Sequence, residues 1–389
     1  MAKKEKIKYY DIRKILSTEA LYYIIFGERS NGKTYGALNY CLEEYFKDGS
    51  EFAYVRRWDD DIKGDRGGSI FNALIKNGVI KRLSKGKYDD IIYKGRNYYL
   101  VSHDESGKAV IEDKPFAYAF ALTMGEHYKG LSYPKIRNIV FDEFLTRGAY
   151  LPNEFVLFQN LLSTLIRLRD DVKIFMLGNT VNKYSPYIRE MGLYRMEKQL
   201  KGTIDLYTYG DTGLRVAVEY SDFPTKQKVS NKYFAFDNPR LNMIKNGAWE
   251  IDIYPHYPVE YGKINNEEIV YTFFIVFEGH ILTCQVIDKP DTIYHDDVTN
   301  KDKTLPETRF LFISPKTTPI RINETALIYH QEANVKPNYR QYLTKPTSRL
   351  EKRILLLFTR SKVFYADNET GEIMRNYLIW CKKIGRAHV

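Results

Sequence analysis

The sequence predicts an α/β fold whose first part holds a mostly parallel sheet, and two observations support this prediction. In the first two hundred of the 389 residues, short apolar runs such as "YYIIF", "IRNIVF" and "KIFMLGN" alternate with helical patterns. Strands interleaved with helices favour a parallel sheet that is covered on both faces. In addition, a glycine-containing loop joins the first apolar run, at residues 22–26, to a helical pattern at residues 33–46.

This loop, "GERSNGKT", has the spacing G-x-x-x-x-G-K-[ST], which predicts a nucleotide site. In such loops the glycines allow backbone N–H groups to surround a phosphate chain, the lysine reaches the terminal phosphates, and the hydroxyl residue binds Mg²⁺. The N-terminus of the following helix would face the anion. We therefore predict ATP and Mg²⁺ as ligands, although a strand–turn–helix that binds nothing has the same local pattern. The predicted nucleotide-binding residues are Gly27, Glu28, Arg29, Ser30, Asn31, Gly32, Lys33 and Thr34.

A second apolar run, at residues 136–141, ends in the adjacent acids Asp142 and Glu143. Phosphate-loop enzymes need a carboxylate at a strand end to hold Mg²⁺ and a further group that orients or deprotonates the attacking water. We therefore predict Asp142, together with Thr34, as a metal ligand and Glu143 as the catalytic carboxylate. The alternative is a surface strand end with two solvated acids.

A third apolar run, at residues 173–177, leads to Asn179, and Arg167 precedes the same run at the end of a predicted helix. An amide at this strand end can hydrogen-bond the γ-phosphate or the water, which predicts a sensor role for Asn179; an ordinary turn is the alternative. Arg167 is predicted as an arginine finger, a guanidinium that neutralises the transferring phosphoryl group of a neighbouring subunit. A salt bridge to a following aspartate is the alternative.

Composition limits the class of protein. The 59 basic and 49 acidic residues give a formal net charge of +10, which favours an anionic partner, with nucleic acid as the first candidate. No apolar stretch approaches the roughly 20 residues of a membrane span, so no membrane partner is expected. The three separated cysteines give neither a metal-ligand spacing nor an even disulfide count, as expected in a reducing compartment.

The sequence also predicts a division into domains. We expect the nucleotide-binding domain at residues 1–204 and a linker subdomain at residues 205–245, where the sequence becomes polar and broken. A second, strand-rich domain follows at residues 246–383. Residues 384–389 do not continue the preceding helical pattern and coincide with a translated sequencing adapter, so we interpret them as a non-native tail.

Taken together, the stretches "YYIIFGERSNGKTYG", "EFAYVRRW", "HYKGLSYPKIRNIVFDEF", "LIRLR" and "LGNTVN" resemble the DNA-packaging ATPases of phi29-type tailed phages, phosphate-loop enzymes related to large terminases. The likeness covers most of residues 15–190 and is weaker beyond residue 200. It implies a RecA-like ATPase domain of the ASCE class, a small linker subdomain, and a smaller α+β C-terminal domain with a ribonuclease-H-like fold.

The resemblance also implies a function. It implies a homo-oligomeric, pentameric ring that uses ATP hydrolysis to move double-stranded DNA into a procapsid, with Arg167 acting in trans. The implied partners are double-stranded DNA and the portal, with a structural RNA left open, and the implied place is the portal vertex of the procapsid in the host cytoplasm. Lys129 would take part in communication between subunits, and Arg56 and Arg57 match the paired arginines of the family. The alternatives are a helicase or other translocase on the same core, and a nucleotide-binding scaffold for virion assembly.

A nuclease is not expected in the C-terminal domain. Such an enzyme needs several carboxylates around two metal ions about 4 Å apart. The predicted first strand, residues 271–277, is apolar and aromatic, and Glu278 comes only at its end. The cluster of His295, Asp296 and Asp297 is a weaker metal candidate, with a polar loop as the alternative.

A basic helical pattern at residues 349–360 suggests another role for this domain. Arg349, Lys352 and Arg353, with the paired Arg56 and Arg57, are candidate nucleic-acid contacts. Contacts of this kind to phosphates position a duplex without reading its sequence. The alternatives for the basic pattern in the C-terminal domain are contacts to the portal or to a structural RNA, and a solvated helix face.

Overall fold

The computed structural model describes residues 10–29, 31–146, 148, 150–180, 185–222, 254–296, 299–320 and 326–384. The chain divides into two compact units, Met1–Glu250 and Ile251–Val389. No helix in the described part of the chain is long and apolar enough to cross a membrane.

The first unit is built around one sheet of ten strands. Its strands are β1 (Tyr22–Gly27), β2 (Glu51–Arg56), β3 (Asp90–Lys94), β4 (Asn97–His103), β5 (Ala109–Ile111), β6 (Ala117–Ala121), β7 (Ile136–Asp142), β8 (Lys173–Asn179), β9 (Ile204–Tyr209) and β10 (Leu214–Ser221). Its described α-helices are α1 (Arg13–Leu16), α2 (Lys33–Asp48), α3 (Gly64–Gly68), α4 (Asn72–Lys76), α5 (Val79–Leu83), α6 (Glu154–Ile166) and α7 (Pro186–Glu190).

The centre of this sheet is parallel. The strand order is β3-β4-β6-β2-β7-β8-β1-β10-β9, with β5 paired to β4. All neighbours from β6 to β10 in this order run parallel, whereas the pairs at the two ends of the sheet are antiparallel. This arrangement confirms the predicted α/β class with a mostly parallel sheet.

Burial on both faces explains the apolar runs. All six residues of β1 are buried. Tyr23 and Ile25 pack in one apolar cluster, whereas Ile24 and Phe26 pack in another. Because successive side chains of a strand point to opposite faces, a strand covered on both sides is apolar throughout.

The helix after β1 is bounded by two glycines in the left-handed region. Gly32 precedes α2 with a φ of 84°, and Gly49 follows it with a φ of 79°. Ala37, Leu38, Cys41 and Leu42 are buried, so that one face of α2 covers the sheet. Since α2 begins directly after the glycine loop, its N-terminus lies at the carboxyl end of β1.

The structure differs from the prediction at the start of the expected linker. Residues 205–245 are described only as far as residue 222, and that part forms strands β9 and β10 rather than a separate subdomain. Val216, Ala217 and Val218 are buried, and β10 pairs in parallel with β1. The short apolar run "RVAV" therefore completes the sheet. The other predicted domain boundaries remain predictions.

The second unit contains a six-stranded mixed sheet with the order β17-β16-β11-β12-β15-β18 and a separate two-stranded sheet, β13-β14. Its described elements are β11 (Ile269–Phe277), β12 (His280–Lys289), β13 (Thr292–Asp296), β14 (Lys301–Leu305), β15 (Thr308–Pro315), β16 (Ile328–His330), β17 (Tyr339–Arg340), α8 (Arg349–Thr359), β18 (Val363–Tyr365) and α9 (Asn368–Ile384). The unit thus combines a strand hairpin with two later helices, and its assignment as ribonuclease-H-like remains a prediction.

The hairpin of this unit follows from its turn residues. Phe277 pairs with His280, which leaves Glu278 and Gly279 as a two-residue turn. Both turn residues have positive φ angles, 51° and 78°. Two-residue hairpins favour this conformation because its twist matches that of the strands.

Candidate functional site

The parallel strands bring the predicted residues to one edge of the sheet. Gly27 ends β1, Asp142 ends β7 and Asn179 ends β8. Gly27 pairs with Asn179, and Asp142 pairs with Leu177, so the three strand ends lie side by side. Strand β7, which carries Asp142, is not the direct neighbour of β1, which leads into the glycine loop, since β8 lies between them. A cleft of about 680 Å³ at this edge is lined by Arg29, Asn31, Gly32, Lys33, Thr34, Tyr35, Asp142, Glu143, Leu145, Thr146, Leu177, Gly178 and Asn179.

The glycine loop has the backbone that its sequence predicts. Gly27 has a φ of 151°, and a Cβ atom there would lie 2.9 Å from the carbonyl oxygen of Ser221. Asn31 is buried, and its Nδ2 donates to Ser221 Oγ at 3.2 Å. Glu28 forms an ion pair with Lys201 at 2.8 Å. The loop is therefore anchored to the end of β10; Ser30 lies outside the described residues.

Lys33 is held by three oxygen acceptors. Its Nζ donates to the carbonyl oxygen of Glu28 at 2.7 Å and to the Oδ1 atoms of Asn31 and Asn179, each at 3.1 Å. Burial lowers the pKa of Lys33 to about 8, although the negative charges of Asp142 and Glu28 oppose this shift. The ammonium group therefore lies in the cleft, and the nearby negative charges only partly offset the cost of burying its positive charge.

Thr34 and Asp142 bring together two side chains whose oxygen atoms can bind a metal ion. The hydroxyl of Thr34 donates to the Asp142 carboxylate, with 3.1 Å to each oxygen. The same carboxylate accepts from the hydroxyl of Tyr54 at 2.9 Å and from the backbone N–H of Glu143 at 3.1 Å. Hydroxyl and carboxylate oxygens are the ligands that Mg²⁺ prefers. The donor set on β7 and α2 therefore fits this ion.

Glu143 forms an ion pair with Arg56, the first of the paired arginines. Arg56 Nη2 donates to Glu143 Oε2 at 2.6 Å and lies 3.4 Å from Asp61. Glu143 itself has a φ of 59°, so the chain turns sharply after the end of β7. Arg56, a predicted nucleic-acid contact, thus lies at the predicted catalytic carboxylate.

The structure corrects the prediction for Arg57. Its side chain is only 5% exposed and forms an ion pair with Glu154, whose side chain is fully buried. The guanidinium lies 5.0 Å from the centre of the Tyr150 ring. Because a buried and paired guanidinium cannot reach a DNA phosphate, Arg57 is not available as a nucleic-acid contact in this conformation.

Arg167 and Lys129 are not among the described residues that line the cleft. Arg167 is exposed directly after α6, where its Nη2 donates to the carbonyl oxygen of Leu131 at 2.7 Å. Lys129, two residues before this carbonyl, is 61% exposed and pairs with Glu126 at 2.6 Å. The structure therefore brings these two predicted residues to the same outer region of the first unit.

The sequence motifs do not identify two buried residues of the site, Tyr54 and Glu154. Tyr54 donates to Asp142, and Glu154 accepts from Arg57. Tyr54 and Arg56 alternate along β2 and both reach the end of β7, because β2 is the other neighbour of that strand. Once this pairing is known, the period-two spacing in "YVRR" identifies Tyr54; the sequence alone does not supply the pairing.

In the second unit, α8 presents the predicted basic residues to solvent. Arg349, Lys352 and Arg353 are exposed, and so are Arg360 and Lys362 beyond the helix end. The one acidic residue of α8, Glu351, has a side chain that is 2% exposed and pairs with Arg340 at 3.2 Å. The helix surface is therefore strongly positive.

The predicted alternative metal cluster of this unit is a cross-strand arrangement. His295 Nδ1 lies 2.9 Å from Asp302, and Asp296 pairs with Lys303 across β13 and β14. Asp297 lies outside the described residues. Within the described ranges, no group of three or more His, Cys, Asp or Glu side chains is arranged to hold a metal ion.

Comparison with known proteins gives one family and several relatives. Residues 4–222 match the model of the Podovirus DNA encapsidation protein (Gp16) family. The DNA packaging protein of Bacillus phage phi29 is 28% identical over 186 residues, which are 47% of this chain and 50% of that protein. The chain thus matches about half the length of this curated relative.

Two solved structures share the fold over nearly the whole chain. The bacteriophage phi-29 viral genome packaging motor assembly has a TM-score of 0.53 at 19% identity, covering 97% of this chain and 98% of that chain. The phi-28 gp11 DNA packaging motor has a TM-score of 0.52 at 16% identity, covering 97% and 99%. At these identities the similarity shows a common fold.

Proposed function

The chain belongs to the Podovirus DNA encapsidation protein (Gp16) family, and we propose that it is an ATPase that drives double-stranded viral DNA into a procapsid. The observation that carries this proposal is the convergence of Lys33, Thr34, Asp142 and Glu143 on one cleft at the carboxyl edge of the sheet. Ligands of open α/β sheets bind at this edge.

ATP is the substrate that fits the cleft. Backbone N–H groups at the start of α2 and the ammonium of Lys33 supply the positive field that a phosphate chain requires. Lys33 now donates to Asn179, which ends the strand between β1 and β7. A γ-phosphate that attracts Lys33 would release Asn179 to bond the phosphate or the attacking water.

Thr34 and Asp142 are the residues that would hold Mg²⁺, which neutralises charge on the phosphate oxygens when it is bound. Tyr54 and the backbone N–H of Glu143 donate to Asp142 and fix the position of its carboxylate. Glu143 lies at the next position and lines the same cleft. We assign to it the role of orienting the water and accepting its proton.

The exposed position of Arg167 supports action on a neighbouring subunit. Its hydrogen bond to Leu131 is at the surface. A guanidinium at such a position can enter the cleft of the next chain in a ring, where it would neutralise the transferring phosphoryl group. Lys129, in the same region, would take part in that contact. We propose a homopentameric ring.

Double-stranded DNA and the portal are the proposed partners, with a structural RNA left open, at the portal vertex of the procapsid in the host cytoplasm. The exposed cations Arg349, Lys352 and Arg353 of α8 would contact phosphates. Such contacts are independent of sequence, as a packaging motor requires. In β11 the nine residues "IVYTFFIVF" contain no carboxylate, which supports a C-terminal domain without nuclease activity.

The test is DNA-stimulated ATP hydrolysis combined with the particle mass of the assembled protein. We expect hydrolysis that increases with double-stranded DNA and a mass of five chains. ATP binding without stimulated hydrolysis would indicate an assembly scaffold instead. Unwinding of a forked duplex in the absence of procapsids would indicate a helicase.

A further inference from the structure

The backbone after β7 adopts an unusual conformation. Glu143 has a φ of 59°, a left-handed value that a residue with a side chain rarely adopts. On either side the chain is fixed by hydrogen bonds: the Glu143 N–H donates to its neighbour Asp142, and the Phe144 N–H donates to the carbonyl oxygen of Leu177 at 3.1 Å. Such conformations persist only where the surroundings enforce them.

Arg57 supplies much of that enforcement. Its Nη1 donates to the carbonyl oxygen of Glu143 at 3.1 Å, and its Nη2 donates to that of Phe144 at 2.7 Å. Its Nε donates to the Glu154 carboxylate, with distances of 2.9 and 2.8 Å to the two oxygens. One planar guanidinium thus bonds two consecutive carbonyl groups and one carboxylate, which a lysine ammonium cannot do in the same geometry.

Glu154 is fixed in turn by other buried donors. It accepts from the hydroxyl of Tyr187 at 2.9 Å and from the backbone N–H of Leu151 at 2.6 Å. Desolvating a charged pair is costly unless every atom is well bonded. The pair of Arg57 and Glu154 meets this condition and, in addition, reaches the backbone of the site.

The neighbouring arginines therefore act on different parts of Glu143. Arg56 bonds the Glu143 carboxylate, whereas Arg57 bonds its carbonyl group. We propose that Arg57, oriented by Glu154, is a positioning residue that sets the backbone conformation of Glu143 and so places its carboxylate in the cleft. This inference rests on the proposed ATPase function. It replaces the nucleic-acid role that the sequence predicts for Arg57.

The test separates turnover from binding in full-length Arg57→Lys and Glu154→Gln variants. Positioning predicts that kcat for ATP falls tenfold or more, because displacements of about 1 Å in a site reduce rates by as much as about 10². The KM for ATP and the Kd for a fluorescent ADP analogue should change less than about threefold, since uniform binding is untouched. If the variants do not fold, Tyr187→Phe removes one hydrogen bond to Glu154 and should lower kcat alone, by a smaller factor.

Arg340→Lys is the matched control. Arg340 also pairs with a buried carboxylate, that of Glu351, and donates to two backbone carbonyl groups, but it lies in the second unit. The Arg340→Lys variant should be less stable to unfolding, but its kcat for ATP in the absence of DNA should not fall selectively. Wild-type kcat in the Arg57 and Glu154 variants, or a parallel loss of kcat and nucleotide affinity, would overturn the positioning role. Absence of hydrolysis in the wild-type protein would instead reject the proposed function.

Discussion

The guanidinium of Arg56 and the carboxylate of Glu143 are joined by a 2.6 Å hydrogen bond at the rim of the cleft. The Glu143 side chain is 55% exposed, whereas that of Arg56 is 18% exposed. Water therefore competes for this ion pair, in contrast to the pair of Arg57 and Glu154 directly behind it.

This contrast predicts different costs for the two arginines. Arg56→Ala should change the free energy of unfolding by about 1 kcal/mol or less, because the Glu143 side chain is 55% exposed and water replaces its lost partner. Arg57→Ala should cost about 3 to 5 kcal/mol, because it leaves the charge of Glu154 buried without a partner. Urea unfolding of the two variants measures both values. Equal costs would contradict the difference in burial.

Lys33→Ala should abolish ATP hydrolysis while the fold is retained. The ammonium is the one basic group that the loop motif directs at the terminal phosphates, and its removal also removes the cost of burying a charge. Hydrolysis assays and circular dichroism measure the two properties. Undiminished turnover in this variant would reject the assignment of the phosphate loop.

Nucleotide affinity should depend on pH through Lys33. Its pKa is lowered to about 8, and bound phosphate favours the charged form, so binding takes up a proton above that pH. We expect the affinity for ADP to be constant well below pH 8 and to weaken by up to about tenfold per pH unit above it. Calorimetry in buffers of different ionisation enthalpy measures the proton uptake.

Lys33→Arg is the control for this titration, because a guanidinium stays protonated throughout the range. Its binding should show no proton uptake between pH 7 and about 10. Equal uptake in both proteins would mean that another group titrates.

Arg167→Ala should give inactive rings that regain partial activity when they are mixed with Glu143→Gln. In mixed rings some clefts combine an intact Glu143 with an intact Arg167 from the next chain, which is the condition for a finger in trans. ATPase activity over a series of mixing ratios measures this. Activity that stays at the sum of the two separate variants would argue against action between subunits.

Replacing Arg349, Lys352 and Arg353 together by glutamine should weaken DNA binding and flatten its salt dependence. Each lost phosphate contact reduces the slope of log K against log salt by about 0.9. Binding titrations at several salt concentrations measure the slope, and ATP hydrolysis without DNA serves as the control. An unchanged slope would assign these cations to a solvated face.

The sequence predicts those parts of the site that consist of residues adjacent to one another in the chain. The loop from Gly27 to Thr34 and the acids at residues 142 and 143 are local patterns, and the strands before them are apolar because both their faces are buried. The parallel arrangement then brings them together.

The rest depends on which strands are neighbours. Tyr54 reaches Asp142 only because β2 lies beside β7, and Arg57 is buried only because α6 brings Glu154 to it. Two adjacent arginines look alike in sequence, yet one meets a carboxylate at the rim and the other meets one in the core. The sequence predicts a linker at the position of β10 for a similar reason, since this short apolar run forms a sheet strand through its pairing with β1.

Helix α6 sets the angle about its axis at which Arg167 leaves the helix relative to Glu154. It begins at Glu154, which is linked through the guanidinium of Arg57 to the carbonyl group of Glu143, and ends next to Arg167. Because each residue turns a helix by about 100°, a deletion of one residue within α6 would swing Arg167 around the axis and away from its present direction. In the proposed ring, the length of this helix can therefore change only in steps close to whole turns.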